Sequence, residues 1–264
     1  MYYLDVKDNK NGELIAHNKK DTIYLIEEED KGGYIYPNEN EDIITKLIKN
    51  KIDNRRKELI SLEEKFIPLT PKWFSMFIGG PSGSGKSTIA SIVAKNHKKI
   101  YKSKIYVISP IGHDEVLEKI GIKRVDFSDI ISNPITLDEI PKNSLVIFDD
   151  IEAIVNNKIK KKIYELKDII YTTGRHRNIS IISIVHNLQN NKDTKVDLLE
   201  SKYIVLFPRA GDLYHIKNVM KLYLGIDNKK IEEIINETKL NSRWLLYHKN
   251  FPHYYITEKK ISIL

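Results

Sequence analysis

The feature that most constrains this chain is one ten-residue run, Gly79-Gly80-Pro81-Ser82-Gly83-Ser84-Gly85-Lys86-Ser87-Thr88. It fits the pattern G-x-x-x-x-G-K-[ST], with Gly80 as the first glycine and Gly85 as the last. Residues 73–78 before it are nearly all apolar and read as a buried strand, and the pattern turns helical from Lys86. Strand, glycine loop and helix in that order bring backbone N–H groups and a helix N-terminus to one point of positive potential. Glycines let the chain curl tightly enough for the amides to reach phosphate oxygens, because a Cβ obstructs several of these conformations. In the resulting cradle, formed by residues 80–88, Lys86 reaches the β- and γ-phosphates, the Ser87 hydroxyl ligates Mg2+ and Thr88 supports the α-phosphate. Nucleoside triphosphate binding follows.

The pattern after the loop determines the fold class. Strand candidates at 104–109, 145–148, 179–185 and 203–207 are β-branched and almost continuously apolar, as expected of strands covered on both faces. Helical patterns at 86–97, 114–119, 156–172, 212–222 and 229–238 alternate with them, the signature of parallel βαβ units. Two further strands, 244–248 and 253–256, extend the sheet. The expected fold is α/β, a mainly parallel central sheet flanked by helices, over residues 71–264.

Residues 1–70 read differently. Short apolar runs at 2–6, 14–16 and 22–26 predict strands, and helical spacing over 41–65 predicts an amphipathic helix that Pro68 and Pro71 end. This segment carries 12 Lys/Arg against 15 Asp/Glu, a net −3, which leaves +10 for residues 71–264 of a chain whose formal charge is +7. It is read as a small α+β appendage. The basic excess of the remainder favours a polyanionic partner, although lysines scattered over a solvated surface give the same count. The sequence has no cysteine, which excludes disulfides and thiolate metal sites. It has no run of roughly 18 apolar residues, which argues against a membrane-spanning helix. Its first residues lack a secretory pattern, so a cytoplasm is the expected compartment.

Three further places carry chemistry. The strand Leu145-Val146-Ile147-Phe148 ends in Asp149-Asp150, which puts two carboxylates at the carboxyl edge of the sheet beside the phosphate loop. Asp149 is expected to hold Mg2+ through water and Asp150 to polarise the attacking water, with Glu152 as a second candidate for that role. The segment 156–178 holds Lys158, Lys160, Lys161, Lys162 and Lys167, a face for phosphates or for solvent, and ends in Arg175-His176-Arg177. An arginine there can enter a neighbouring copy's site and stabilise charge on the transferring phosphoryl group, or can simply form a surface salt bridge. Strand 179–185 runs into His186-Asn187-Leu188-Gln189, where His186 or Asn187 is placed to sense a γ-phosphate or attacking water.

The order of these motifs, with Gly174-Arg175-His176 and Asn178-Ile179-Ser180 after the aspartate pair and Pro208-Arg209 after residues 203–207, resembles the poxvirus-type genome-packaging ATPases of large DNA viruses and virophages, a branch of the FtsK-HerA superfamily. The resemblance covers residues 73–224. It implies a RecA-like P-loop core and a homo-oligomeric ring, pentamer or hexamer, that hydrolyses ATP to drive double-stranded DNA into a preformed capsid. It also implies capsid vertex proteins as partners, a viral assembly site as location, and no membrane insertion. By the same resemblance Arg175 is the preferred finger, with Arg177 or Arg209 as substitutes. The family's sensor glutamine is replaced here by His186-Asn187, with Gln189 slightly later. A nucleotide kinase is the enzyme rival, because its phosphate loop is similar, but no arginine-bearing lid is legible. A DNA-binding protein without turnover is the non-enzyme rival. Asn18-Lys19-Lys20-Asp21 matches a guanine-reading tetrapeptide but precedes the phosphate loop, the wrong order for a GTPase.

Overall fold

The computed structural model describes residues 2–6, 12–27, 57–61, 64–127, 130–188 and 194–264. Its first strands are β1 (Tyr2–Asp5), β2 (Glu13–His17), β3 (Thr22–Glu27), β4 (Glu58–Ile60) and β5 (Ile67–Pro68). Next come β6 (Ser75–Gly79), α1 (Lys86–Tyr101), β7 (Lys104–Ile108), α2 (Glu115–Glu118), β8 (Lys123–Arg124) and β9 (Ser144–Asp149). The chain continues through α3 (Asn157–Thr173), β10 (Ser180–Val185), α4 (Lys195–Glu200), β11 (Tyr203–Leu206), α5 (Leu213–Leu224) and α6 (Asn228–Asn241). It ends with β12 (Leu245–His248), β13 (Tyr254–Thr257) and β14 (Lys260–Ile263).

Ten strands form one sheet in the order β4-β14-β13-β12-β11-β6-β10-β9-β7-β8. The six from β11 to β8 run parallel, and the other four add antiparallel to the β11 edge. This is a mainly parallel α/β sheet, with β11 and β6 at its centre. Every residue of β6, β9 and β10 is buried, which explains why these segments read as nearly continuous apolar runs. The two faces have different covers. Leu145 and Ile147 pack with Ile89, Ala90 and Val93 of α1, whereas Val146 and Phe148 pack with Ile163, Leu166 and Ile170 of α3. Helices α5 and α6 cover the same side as α3 farther along, over Ile204, Leu206, Leu245 and Tyr247.

The N-terminal strands form a separate antiparallel sheet, β1-β3-β2-β5, whose Leu4, Ile15, Ile23 and Leu25 share a core with α1 and the large sheet. Most of the helix expected over 41–65 lies outside the described residues. Its later part is corrected: residues 58–60 are the edge strand β4, paired with β14, because tertiary pairing overrides a short helical pattern. Strand β14 itself was not foreseen. The stretch 18–21 is a tight hairpin turn in which Asn18 Oδ1 accepts from the N–H of Lys20 and Asp21, which accounts for that tetrapeptide without a nucleotide. Among the described residues no helix is long and apolar enough to cross a membrane.

One buried polar group ties the rear of the sheet together. Lys167 on α3 contacts both carboxylate oxygens of Asp197 on α4, at 2.7 and 2.9 Å, and Ser183 of β10 donates to the same carboxylate at 2.6 Å. Lysine and aspartate are both essentially inaccessible to water. Lys167 is therefore not part of a phosphate-facing track, contrary to the expectation for this helix. We expect Lys167→Met to destabilise the protein by about 3–5 kcal/mol in chemical denaturation, because it strands a buried carboxylate. Replacing Asp197 with Leu in the same chain should recover much of that loss. A single variant as stable as the parent would contradict the assignment.

Candidate active site

The loop after β6 has the backbone that its glycines imply. Gly85 sits at φ +106° and Gly83 at φ +73°, conformations open to glycine and strained for other residues. Gly80 is small for a different reason: a Cβ there would lie 2.8 Å from the Phe207 ring and 3.0 Å from Ser84 Oγ. Its N–H donates to Val185 O at 3.2 Å, which stitches the loop to the end of β10. Ser87 is half-buried, while Ser82 and Thr88 are exposed.

Strand register brings the other groups to the loop. Gly79 is paired with Val185, and Ile184 with Asp149, so the ends of β6, β10 and β9 lie side by side. Asp149 is buried, and burial, with Asp150 and Asp114 nearby, pushes its carboxyl up to about 7. Asp150 takes a left-handed conformation, φ +52°, and opens the short 3-10 turn Ile151–Ala153. Lys86 is also buried. Its Nζ donates to Pro81 O at 3.0 Å and to His186 Nδ1 at 3.2 Å. Burial lowers the Lys86 pKa, and the charges of Asp150, Asp149 and Glu152 oppose that shift. His186 Nε2 lies 2.7 Å from Asp150 Oδ1, and the His186 backbone N–H donates to Glu152 Oε1 at 3.0 Å.

Lys86, Asp149, Asp150, Glu152 and His186 thus meet at one edge. Among the described residues no group of three or more His, Asp or Glu side chains forms a metal set. A buried carboxylate crowded by other acids at this edge nevertheless fits a divalent cation completed by phosphates and water. Asn187 is exposed just beyond the strand, and Gln189 lies outside the described residues.

The arginines divide. Arg177 is committed to Asp138, its Nη1 lying 2.5 Å from Oδ1, and also donates to the Asp138 and Ile140 carbonyls. Arg209 donates to the Lys239 and Leu240 carbonyls at the end of α6. Both substitutes for the finger therefore have internal structural roles. Arg175 is exposed on the turn Gly174–Arg177, ahead of β10 and so at the amino edge of the sheet. Roughly 16 Å of strand separates it from its own phosphate loop, more than an arginine side chain spans. The lysines divide too. Lys160 donates to Glu152 O and Lys162 pairs with Glu165, while Lys158 and Lys161 are exposed.

No family model matches the chain. Over 222 residues it is 31% identical to uncharacterized protein V3 of Sputnik virophage, covering 82% of this chain and 89% of that protein. A replication protein of Onion yellows phytoplasma is 25% identical over 238 residues, which span 88% of this chain and 53% of that protein. Among solved structures, the genome packaging NTPase B204 from Sulfolobus turreted icosahedral virus 2, in complex with AMPPCP, is similar at a TM-score of 0.46 and 16% identity. The match covers 73% of this chain and 98% of that one.

The loop geometry leads to a direct test. At φ +106° an alanine carries strain on the order of 1–3 kcal/mol, so Gly85→Ala should weaken ATP binding about tenfold or more in a fluorescent-nucleotide titration. Parental affinity would show that the curled conformation is not what binds.

Proposed function

We propose that this chain, which belongs to the family of the Sputnik virophage protein V3, is an ATP hydrolase that drives double-stranded DNA into a preformed capsid. The observation that carries the reading is the meeting of Lys86, the Asp149-Asp150 pair and His186 at the carboxyl edge of a parallel sheet, with Arg175 exposed at the opposite edge.

In this reading the loop amides of residues 80–88 bind the triphosphate, Lys86 neutralises the β- and γ-phosphates, and Asp150 activates the attacking water. Ser87 and Asp149 would hold Mg2+, which supplies positive charge to the β- and γ-oxygens when bound. His186 and Asn187 report on the γ-phosphate. Arg175 cannot serve its own site, so it serves the next copy's, which makes a closed ring the functional unit. Residues 71–264, at net +10, are the part that handles DNA. Residues 1–70, at net −3, form the appendage that faces a capsid vertex protein or a neighbouring copy. Assembly would take place in the host cytoplasm, at the site of virion formation. The deciding experiment is ATP turnover with and without duplex DNA, together with the oligomer mass. A monomer whose turnover ignores DNA would refute the motor.

Lys86→Ala should abolish nucleotide affinity, whereas Asp150→Asn should keep binding and lose turnover. Equal loss of binding in both variants would remove the division of roles. Mixing Arg175→Ala copies with Asp150→Asn copies should restore part of the hydrolysis lost in each alone, since some interfaces then join an intact acid to an intact arginine. Mixed rings with no activity would place the arginine outside the site.

A further inference from the structure

Asp150 lies against an imidazole. Its Oδ1 is 2.7 Å from His186 Nε2 without an aligned hydrogen bond, and the other ring nitrogen, Nδ1, lies 3.2 Å from Lys86 Nζ. An ammonium offers only donors, so Nδ1 accepts, and the ring hydrogen sits on Nε2, the nitrogen nearest the carboxylate. The ammonium thereby sets the tautomer, with the carboxylate in charge contact on the far side of the ring. The residue is also fixed through its backbone, whose N–H donates to Glu152 Oε1 at 3.0 Å. The charged groups around the ring are Lys86 from α1 and Asp150 and Glu152 from the turn after β9. A carboxylate against one ring nitrogen, with the basic nitrogen turned away from it, is a charge arrangement that favours a proton on the ring and so suits a general base. The group covering that nitrogen is the same ammonium that the triphosphate requires.

We infer that His186 Nδ1, and not Asp150 directly, is the proton acceptor for the attacking water, that Asp150 acts on the water through the ring by stabilising its charged form, and that Lys86 masks Nδ1 until the phosphates draw the ammonium away. This rests on the ATPase reading above and gives its proton a destination. The water oxygen bonds to the γ-phosphorus, and the bond from that phosphorus to the β–γ bridging oxygen breaks. ADP leaves with the electron pair. The water proton passes to Nδ1, the imidazolium is neutralised by the Asp150 carboxylate, and the proton returns to solvent as phosphate departs. His186 is then a catalytic residue and Asp150 a positioning residue. The base is exposed only when Lys86 is engaged by a bound triphosphate, so an empty or badly seated site has none to offer.

The test separates proton transfer from polar sensing. Glutamine can hydrogen-bond as a sensor but cannot take up a proton. His186→Gln and His186→Ala should therefore both lose about 100-fold or more in kcat while nucleotide affinity is kept, which also reports that the variants are folded. Added imidazole should restore part of the turnover of His186→Ala and none of that of Asp150→Asn. A His186→Gln enzyme with parental turnover overturns the inference and leaves the ATPase reading standing. A parent chain that does not hydrolyse ATP overturns both.

Discussion

A cation taken out of water must be matched by negative or dipolar groups or lose its charge, and this site is organised around that constraint. The Lys86 ammonium is buried, and burial lowers its pKa. Pro81 O and His186 Nδ1 accept its hydrogens, while Asp150, Asp149 and Glu152 supply the opposing field. The dependence is mutual. Asp149, also buried, has its carboxyl pushed up to about 7 by burial and by the neighbouring acids, with Lys86 as the one group that opposes the shift. Neither the lysine nor the acids make electrostatic sense alone. Incoming phosphates compete for the same ammonium, so nucleotide binding must rearrange these contacts.

What permits such a site is a scaffold whose strands are apolar on both faces. With α1 on one side and α3, α5 and α6 on the other, β6, β9 and β10 deliver polar groups to the site where they end. Parallel register then does the assembly. Three strands separated widely in sequence finish at the same level, and a lysine, two aspartates and a histidine come within reach of one another. Behind them, the Lys167–Asp197–Ser183 contact joins α3, α4 and β10, a polar fastening inside a mainly apolar layer. It fixes the helix that leads to Arg175 and the strand that leads to His186, the two ends of β10.

Much of this was legible beforehand because periodicity and loop chemistry are local. The run 79–88 carries its own strand-to-helix context, and the aspartates follow directly on an apolar strand, so loop, acids and sheet could all be located. The errors have a common cause. Lys167 reads as one more lysine in a basic helix, yet its position on α3 faces Asp197, thirty residues away in sequence. Arg177 and Arg209 read as free cations, yet each is bonded to carbonyls of distant segments. Residues 58–60 fit a helical pattern but complete a sheet edge whose partner, β14, lies at the other end of the chain.

By itself, then, the sequence determined most of the elements and their chemistry: which segments form the parallel strands, which loop its glycines let curl, and which carboxylates stand at a strand end. These depend on a residue and its near neighbours, through φ, side-chain period and apolar continuity. Tertiary structure alone decided which charged groups are already partnered and to whom. It made Lys167 internal, left Arg175 exposed at the edge remote from its own loop, and set His186 between Lys86 and Asp150. Pairings of that kind depend on distances across the sheet, and a linear order of residues does not contain them until the strands are in register.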